Sequence, residues 1–203
     1  MKAIVMIVFA TFIFGAASAQ VKQKPPQAPK PKDPTASLRI PNATVYDQNG
    51  KKLKFYTDLV KGKTVAINFI FTTCTAICPA LTANFRRVQQ QLGDRVGHDM
   101  HLISVSVDPT TDAPERLKEY ATKFKAGPGW TFVTGDKAEI DSVLTALGTA
   151  VADKNDHTPM VLIGNETAGD WNRTYGLSPP SRLVELIEAS ASKSVAAPIK
   201  AGR

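Results

Sequence analysis

The stretch FIFTTCTAICP, residues 69–79, contains the only two cysteines of a chain of 203 residues, Cys74 and Cys78. Residues 64–71, which run into this stretch, are almost all apolar and predict a buried central strand. The residues after Cys78 repeat their apolar side chains at helical spacing. The two sulfurs are therefore expected at or just before the N-terminus of a helix, at the point where the strand gives way to it.

The spacing of the two cysteines has chemical consequences. Residues four apart on a helix share one face, and a one-turn separation of roughly 6 Å between Cα atoms is within the range that a disulfide can bridge. The partial positive charge of a helix start favours thiolates, the form that reacts and binds metals. The pair therefore suits either dithiol–disulfide cycling or a soft metal ion. A purely structural disulfide explains it less well, because closing so short a loop restrains the unfolded chain little.

The N-terminus has the three parts of a secretory signal. A basic start is followed by an apolar run and by the small-residue sequence Ala17-Ser18-Ala19. We expect residues 1–19 to be a signal peptide, removed on export to the periplasm. The alternative is an uncleaved anchor that holds the protein at a membrane, facing the periplasm. Residues 20–36 are rich in lysine and proline and predict a disordered linker, and residues 190–203 predict a disordered tail.

The formal net charge of +7 comes from the ends of the chain. Residues 35–188 carry 17 basic and 17 acidic side chains, so the part that can fold is neutral overall. This balance gives no basis for nucleic-acid binding. The basic linker indicates at most a weak attraction to an anionic membrane surface.

Residues 37–189 are long enough for one domain with its own core. An Asn-Gly turn predicts a β-hairpin at residues 42–56, and Asp112 is expected to be the N-cap of a later helix. Strands and helices alternate, which is typical of α/β proteins, and the element order indicates a thioredoxin-like fold with a central mixed sheet flanked by helices. The later elements are predicted as strands at 101–107, 130–133 and 160–163, helices at 113–124, 136–147 and 181–189, and a hairpin through 165–170.

His157 is a candidate third ligand beside the two sulfurs. It lies directly before the predicted strand at 160–163, in a loop that a thioredoxin-like arrangement brings next to the helix carrying the cysteines. Two thiolates and an imidazole suit copper, and Cu(I) in particular. Zinc fits less well, because a structural zinc site usually takes four protein ligands. A loop histidine that only bonds a neighbour is the alternative, and His98 and His101 have no metal-ligand spacing around them.

Three motifs together resemble the Sco/SenC family of cytochrome c oxidase assembly proteins. They are FTTCTAICP at 71–79, SVSVDPTTDAPERLKEY at 104–120 and the pair Asp156-His157. The resemblance covers roughly residues 40–188. It implies a thioredoxin-like fold that binds one copper ion, Cu(I) or Cu(II), and a metallochaperone that delivers copper to the dinuclear copper site of cytochrome c oxidase or reduces the cysteines of that site.

The resemblance also assigns residues and partners. It implies that Cys74, Cys78 and His157 are the metal ligands, with Asp108 in a supporting role. The expected partners are the copper-bearing oxidase subunit or its assembly factors, and a thiol-reducing protein, with the chain itself a monomer. Pro159 is similar in position to the cis-proline of thiol-disulfide oxidoreductases, so an extracytoplasmic enzyme of that kind, using the redox pair Cys74 and Cys78, is the alternative function. A peroxidase is weaker, because no Arg or Lys lies close to the cysteines in sequence.

Overall fold

The computed structural model describes residues 38–156 and 158–196, with the side chains of residues 194–196 left out. The predicted signal peptide, the predicted linker and His157 lie outside these residues. So do residues 197–203 of the predicted tail.

A mixed sheet of seven strands forms the centre of the domain, in the order β2-β1-β5-β4-β3-β6-β7. The neighbours β3, β4 and β5 run parallel, and all other neighbouring pairs are antiparallel. The predicted α/β fold with a mixed sheet is confirmed. The strands are β1 Thr44–Asp47, β2 Lys52–Lys54, β3 Thr64–Ile70, β4 Met100–Ser106, β5 Trp130–Thr134, β6 Met160–Asn165 and β7 Asp170–Tyr175.

Helices cover both faces of the sheet, as the predicted architecture requires. The α-helices are α1 Cys78–Leu92, α2 Pro114–Lys123, α3 Lys137–Leu147 and α4 Pro180–Ala196. A π-helical turn at Phe55–Val60 and 3₁₀ turns at Gly93–Arg95 and Lys154–Asp156 complete the set. Within the residues described, no helix is both long and apolar enough to cross a membrane.

The central strand β3 is buried along its whole length because both of its faces are covered. Val65, Ile67 and Phe69 face the core under α3, in which Ile140, Val143, Leu144 and Leu147 pack. Ala66 and Ile70 face the second core, which receives α1, α2 and α4. This double burial explains why the sequence of β3 is apolar throughout rather than alternating.

Both predicted hairpins are present. In the first, β1 pairs with β2, and the Asp47 carboxylate accepts the backbone N–H groups of Asn49 and Lys51 at 2.8 and 2.9 Å. Gly50 adopts a positive φ of 76°, which a glycine does at little cost. The second hairpin joins β6 and β7, which lies at the edge of the sheet.

Two predictions about helix ends are wrong. The last helix, α4, continues to Ala196 instead of ending at Ala189, because Ser190 and Ala191 are buried against the second core. The predicted disordered tail therefore does not begin at residue 190. Asp112 is not the N-cap of α2. That position is Ala113, which makes no side-chain cap bond, and the Asp112 carboxylate binds groups at the ends of β3 and β4 instead.

The strand directions bring several loops to one edge of the sheet. The parallel strands β3 and β4 end there, and the antiparallel strand β6 begins there. The β3–α1 loop with Cys74, the β4–α2 loop with Asp108, and Pro159 before β6 therefore lie at the same edge. Sites in α/β sheets gather at such carboxyl ends.

The extension of α4 can be tested with neighbouring residues. Ala191→Gln should lower the free energy of unfolding by about 1–3 kcal/mol, because a larger polar side chain would enter a packed core. Ser192→Gln, at an exposed position, should change it by less than about 0.5 kcal/mol. Urea denaturation measures both. Equal, small effects would show that residue 191 does not pack in the core.

Candidate metal centre

Cys74 and Cys78 sit where the central strand passes into α1. Cys74 lies in the loop after β3 and is partly exposed, whereas Cys78 is the first residue of α1 and is completely buried. Both are free thiols. The predicted placement of the sulfurs at and just before a helix N-terminus is confirmed.

The sulfur of Cys74 lies near the N-terminus of α1, which has no side-chain cap. The N-cap residue of this helix, Ile77, provides no side-chain cap, so the first backbone N–H groups lack their usual partner. The N–H groups of Ala76 and Ile77, in the turn before α1, and of Cys78, its first residue, favour the thiolate form of Cys74. Burial by itself would raise the pKa of Cys74, but a hydrogen bond from the Cys78 thiol and these backbone bonds together lower it. Cys74 is therefore the thiol that ionises first.

Cys78 behaves in the opposite way. Burial, and secondly the hydrogen bond that its thiol donates to Cys74, raise the pKa of Cys78 to about 12. The Cys78 thiol therefore keeps its proton when Cys74 ionises, and its hydrogen bond stabilises the Cys74 thiolate. The first proton of the pair leaves from Cys74. The second proton leaves only when something else compensates the buried sulfur, such as a metal cation or a new S–S bond.

Asp112 joins the cysteine loop to the loop after β4. Its carboxylate accepts the hydroxyl of Thr72 at 2.6 Å and the hydroxyl of Ser106 at 2.6 Å, and the backbone N–H of Thr72 lies 3.2 Å from both carboxylate oxygens. Asp112 has no exposed surface. Thr72 lies two residues before Cys74, so the Asp112 carboxylate fixes the segment that leads to the partly exposed thiol.

Asp108, predicted as a supporting residue, lies in the same loop after β4. It forms an ion pair with Lys154, in the helical turn Lys154–Asp156. Its carboxylate accepts Lys154 Nζ at 2.5 Å and the Thr110 hydroxyl at 2.9 Å. Burial by itself would raise the pKa of Asp108, but the bonds from Lys154, Thr111 and Thr110 lower it. Lys154 Nζ also lies 5.3 Å from the ring centroid of Phe71, a cation–π distance. The helical turn that begins at Lys154 is therefore fastened to the ends of β3 and β4.

A hydrogen-bonded chain supports α1 from behind. The Thr82 hydroxyl donates to the Cys78 carbonyl oxygen at 2.8 Å, and the Tyr120 hydroxyl lies 3.0 Å from the Thr82 hydroxyl. Burial raises the pKa of Tyr120, with smaller contributions from the charges of the two cysteines and Asp112. Tyr120 therefore stays protonated, and it ties the first turn of α1 to α2.

The other predicted site residues have different outcomes. Pro159 lies directly before β6, and its carbonyl oxygen accepts the N–H of Gly176 at 2.8 Å. The peptide bond before Pro159 is trans, since no cis peptide occurs among the residues described, so the parallel with the oxidoreductase cis-proline finds no support here. His157 lies outside the described residues, and its role as third ligand stays a prediction. His98 is exposed and His101 is half-buried, at the start of β4.

Sequence reasoning missed Lys154 and misassigned Asp112. No local pattern distinguishes Lys154 from the other surface lysines. Asp112 stands two residues before a proline at a helix start, where a capping role is the ordinary expectation. Its partner Thr72 is 40 positions away in the chain, so only the folded sheet shows the contact.

Comparison with known proteins gives one family. The SCO1/SenC family matches residues 39–196. The SCO1 protein homolog of Bacillus subtilis is 32% identical over 133 residues, which are 64% of this chain and 67% of that protein. An SCO2-like protein of Rickettsia prowazekii is 34% identical over 97 residues, 48% of this chain. The match spans 45% of that relative, less than half of its length.

Solved structures give the same picture. BsSco, described with a disulfide switch and as a member of the Sco family of cytochrome c oxidase assembly proteins, is 27% identical with a TM-score of 0.64, covering 79% of this chain and 97% of BsSco. ScoI of Bradyrhizobium japonicum, solved with copper bound, is 26% identical with a TM-score of 0.59, covering 73% and 96%. These likenesses confirm the thioredoxin-like fold.

The opposite pKa shifts predict unequal alkylation of the two thiols. Because the pKa of Cys74 is lowered, its reaction with iodoacetamide should reach half its maximal rate below the pH at which an ordinary thiol does, about 8.5. Cys78, with a pKa of about 12, should remain unmodified at that pH. Cys78→Ala removes a donor to the thiolate and should move the Cys74 midpoint to higher pH.

Mass spectrometry of the alkylated protein measures each site separately. Protein unfolded in denaturant is the control, and there the two cysteines should react at similar rates. A Cys74 midpoint that does not shift in Cys78→Ala would contradict the hydrogen bond between the thiols.

Proposed function

The chain belongs to the SCO1/SenC family, as its motifs predicted, and we propose that it is a copper-binding metallochaperone that serves the dinuclear copper site of cytochrome c oxidase. It delivers copper to that site or keeps the cysteines of the site reduced. The observation that carries the proposal is the paired arrangement of an ionisable, partly exposed Cys74 and a buried, protonated Cys78 at the open end of α1.

The chemistry of the donors favours copper as the cargo. Thiolates are soft ligands, and Cu(I) prefers them. Cys74, in the loop before α1, and Cys78, the first residue of that helix, provide a pair of soft donors. A structural zinc ion usually takes four protein ligands, whereas the ligand set proposed here is Cys74, Cys78 and His157. One ion per chain is the expected stoichiometry.

His157 is proposed as the third ligand because both sides of its loop are fastened at the edge of the sheet where the cysteine loop lies. Lys154, three residues earlier, binds Asp108 and lies over Phe71. Pro159, two residues later, is held by Gly176. Three residues of chain span at most about 10 Å. Position 157 is therefore three residues from a contact with Phe71, which itself lies three residues before Cys74.

Capture and release of copper follow from the opposite pKa shifts of the two thiols. The Cys74 thiolate is exposed enough to meet the ion first. Bonding of Cys78 to the ion then releases its proton, because only the thiolate is a ligand, and His157 completes the site. Thiolates of a partner compete for the ion and take it over. Formation of the Cys74–Cys78 disulfide would remove both sulfur ligands, so loading depends on the redox state.

The place of action and the partners belong to the same proposal. The sequence at residues 1–19 supports export, with the folded domain in the periplasm or tethered to a membrane and facing the periplasm. The partner is then the copper-bearing oxidase subunit or one of its assembly factors. The protein works as a monomer, with no nucleic acid involved.

A thiol-disulfide oxidoreductase is the second candidate function. The unequal thiols favour it, because a thiolate at Cys74 can attack a partner's disulfide and Cys78 can resolve the mixed disulfide. The partner's disulfide gains two electrons and two protons, and Cys74 and Cys78 become a disulfide. The disulfide switch described for the relative BsSco is consistent with such chemistry. Three residues between the cysteines, instead of two, argue mildly against it.

Copper binding is tested by titrating the reduced protein with Cu(I) against a chromophoric chelator. We expect one tightly bound ion per chain, and His157→Ala should weaken binding at least about tenfold, or about 1.4 kcal/mol. His98→Ala, which replaces an exposed histidine elsewhere, is the matched control and should bind as the unaltered protein does. Loss of tight binding in both variants, or in neither, would contradict the proposed ligand set.

Exchange with oxidised glutathione, in the absence of metal, tests the second candidate. In Cys78→Ser the attacking thiol has no resolving partner, so a mixed disulfide with glutathione should accumulate on Cys74. Cys74→Ser should accumulate far less, because Cys78 is buried and protonated. Intact-protein mass spectrometry detects the adduct. No adduct on Cys74, and no disulfide in the unaltered protein, would rule out the oxidoreductase.

A further inference from the structure

Asp112 is a buried carboxylate whose contacts lead to the cysteine loop. Its oxygens receive two hydroxyl hydrogens and one backbone N–H, from Thr72 and Ser106. Its own N–H donates to the Asp108 carbonyl oxygen at 2.9 Å, which fixes the turn that carries it. Both hydroxyl bonds are short, at 2.6 Å.

The hydrogen bonds of the Asp112 carboxylate do not cap the helix that follows, α2. The helix α2 begins at Pro114, which has no N–H to cap, and its N-cap is Ala113. A carboxylate serving α2 would turn towards the first N–H groups of that helix. The Asp112 carboxylate turns instead to residues at the ends of the neighbouring strands β3 and β4. Burial removes water from the Asp112 carboxylate, and the hydrogen bonds from Thr72 and Ser106 compensate for this loss.

The path from Asp112 to the thiols is short. Thr72 is held through both its hydroxyl and its N–H, and the N–H of Cys74 then donates to the Phe71 carbonyl oxygen at 3.1 Å. The turn from Phe71 to Cys74 is thereby closed on itself and fastened to the β4–α2 loop. This turn sets where the Cys74 sulfur stands relative to α1 and Cys78.

We propose that Asp112 is a positioning residue, which through Thr72 holds Cys74 in bonding reach of Cys78. Fixing one thiol beside the other raises its effective concentration, and this favours both an intramolecular S–S bond and two-sulfur chelation. The inference deepens the proposed function of the pair, but it concerns the placement of the sulfurs and holds with or without copper. The tether acts through hydrogen bonds, so an uncharged side chain of the same shape can replace it.

The test is the equilibrium of the full-length, copper-free protein with a dithiothreitol redox buffer. The protein's dithiol gives two electrons and two protons to oxidised dithiothreitol, and a Cys74–Cys78 bond forms as the reagent's bond breaks. Asp112→Ala should lower this equilibrium constant at least about fivefold, because the loosened turn lowers the effective concentration of Cys74. Asp112→Asn keeps an acceptor for Thr72 and should stay within about twofold of the unaltered protein.

Two further variants separate an effect on the cysteine loop from a general loss of stability. Thr72→Val removes one tether bond and retains the N–H, and it should lower the constant by an intermediate amount even if Asp112→Ala does not fold. Asn165→Ala removes a buried polar contact with Thr64 at the start of β3, far from the cysteine loop, and should leave the constant unchanged. A separate Cu(I) titration of the same variants reports on the metal-binding function.

Several outcomes would overturn the proposal. One is an unchanged constant in Asp112→Ala and Thr72→Val. Another is an equal loss in Asp112→Asn and Asp112→Ala, which would assign the effect to charge. An equal loss in Asn165→Ala would assign it to general loosening, and absence of any disulfide in the unaltered protein would show that the thiols are not held for bonding. None of these results depends on whether copper binds.

Discussion

The backbone N–H groups at the start of α1 impose the constraint on which the candidate site depends. The backbone N–H groups of Ala76 and Ile77, in the turn before α1, and of Cys78, its first residue, favour the thiolate of Cys74. A sulfur is a better acceptor when it is ionised, so the hydrogen bond from the Cys78 thiol and then these backbone N–H groups lower the pKa of Cys74 against the effect of burial. Cys78, whose own N–H is among the donors, is buried at the same point and keeps its proton. The burial of Cys78 and the hydrogen bond between the two thiols make the cysteines unequal, and the backbone N–H groups add to the difference.

The loop between β4 and α2 carries two carboxylates, and each holds a different segment near the cysteines. Asp112 fastens the turn before Cys74, and Asp108 fastens the turn that leads to His157. Both carboxylates are buried. In the interior such groups are retained when several donors satisfy them, and each of these receives at least two hydrogen bonds. The loop therefore connects the two segments that supply the proposed ligands.

Much of this arrangement follows from local sequence signals. The unbroken apolar run in β3 predicts a doubly covered strand, and Asn49-Gly50 predicts the first hairpin. The end of α4 could not be predicted, because Ser190 and Ala191 resemble the polar, small-residue tail that follows them. Both are nevertheless buried, and Ala191 packs in the second core. The partner of Asp112 could not be predicted either, because local capping rules compete with a contact that only the completed sheet creates.

The central claim is that the two thiols and one imidazole bind a single copper ion. X-ray absorption at the copper edge, on protein loaded with one equivalent of Cu(I), tests it most directly. We expect two sulfur neighbours and one nitrogen neighbour, with the nitrogen lost in His157→Ala and retained in His98→Ala. A first shell without nitrogen in the unaltered protein, or with copper shared between two copies of the chain, would contradict it.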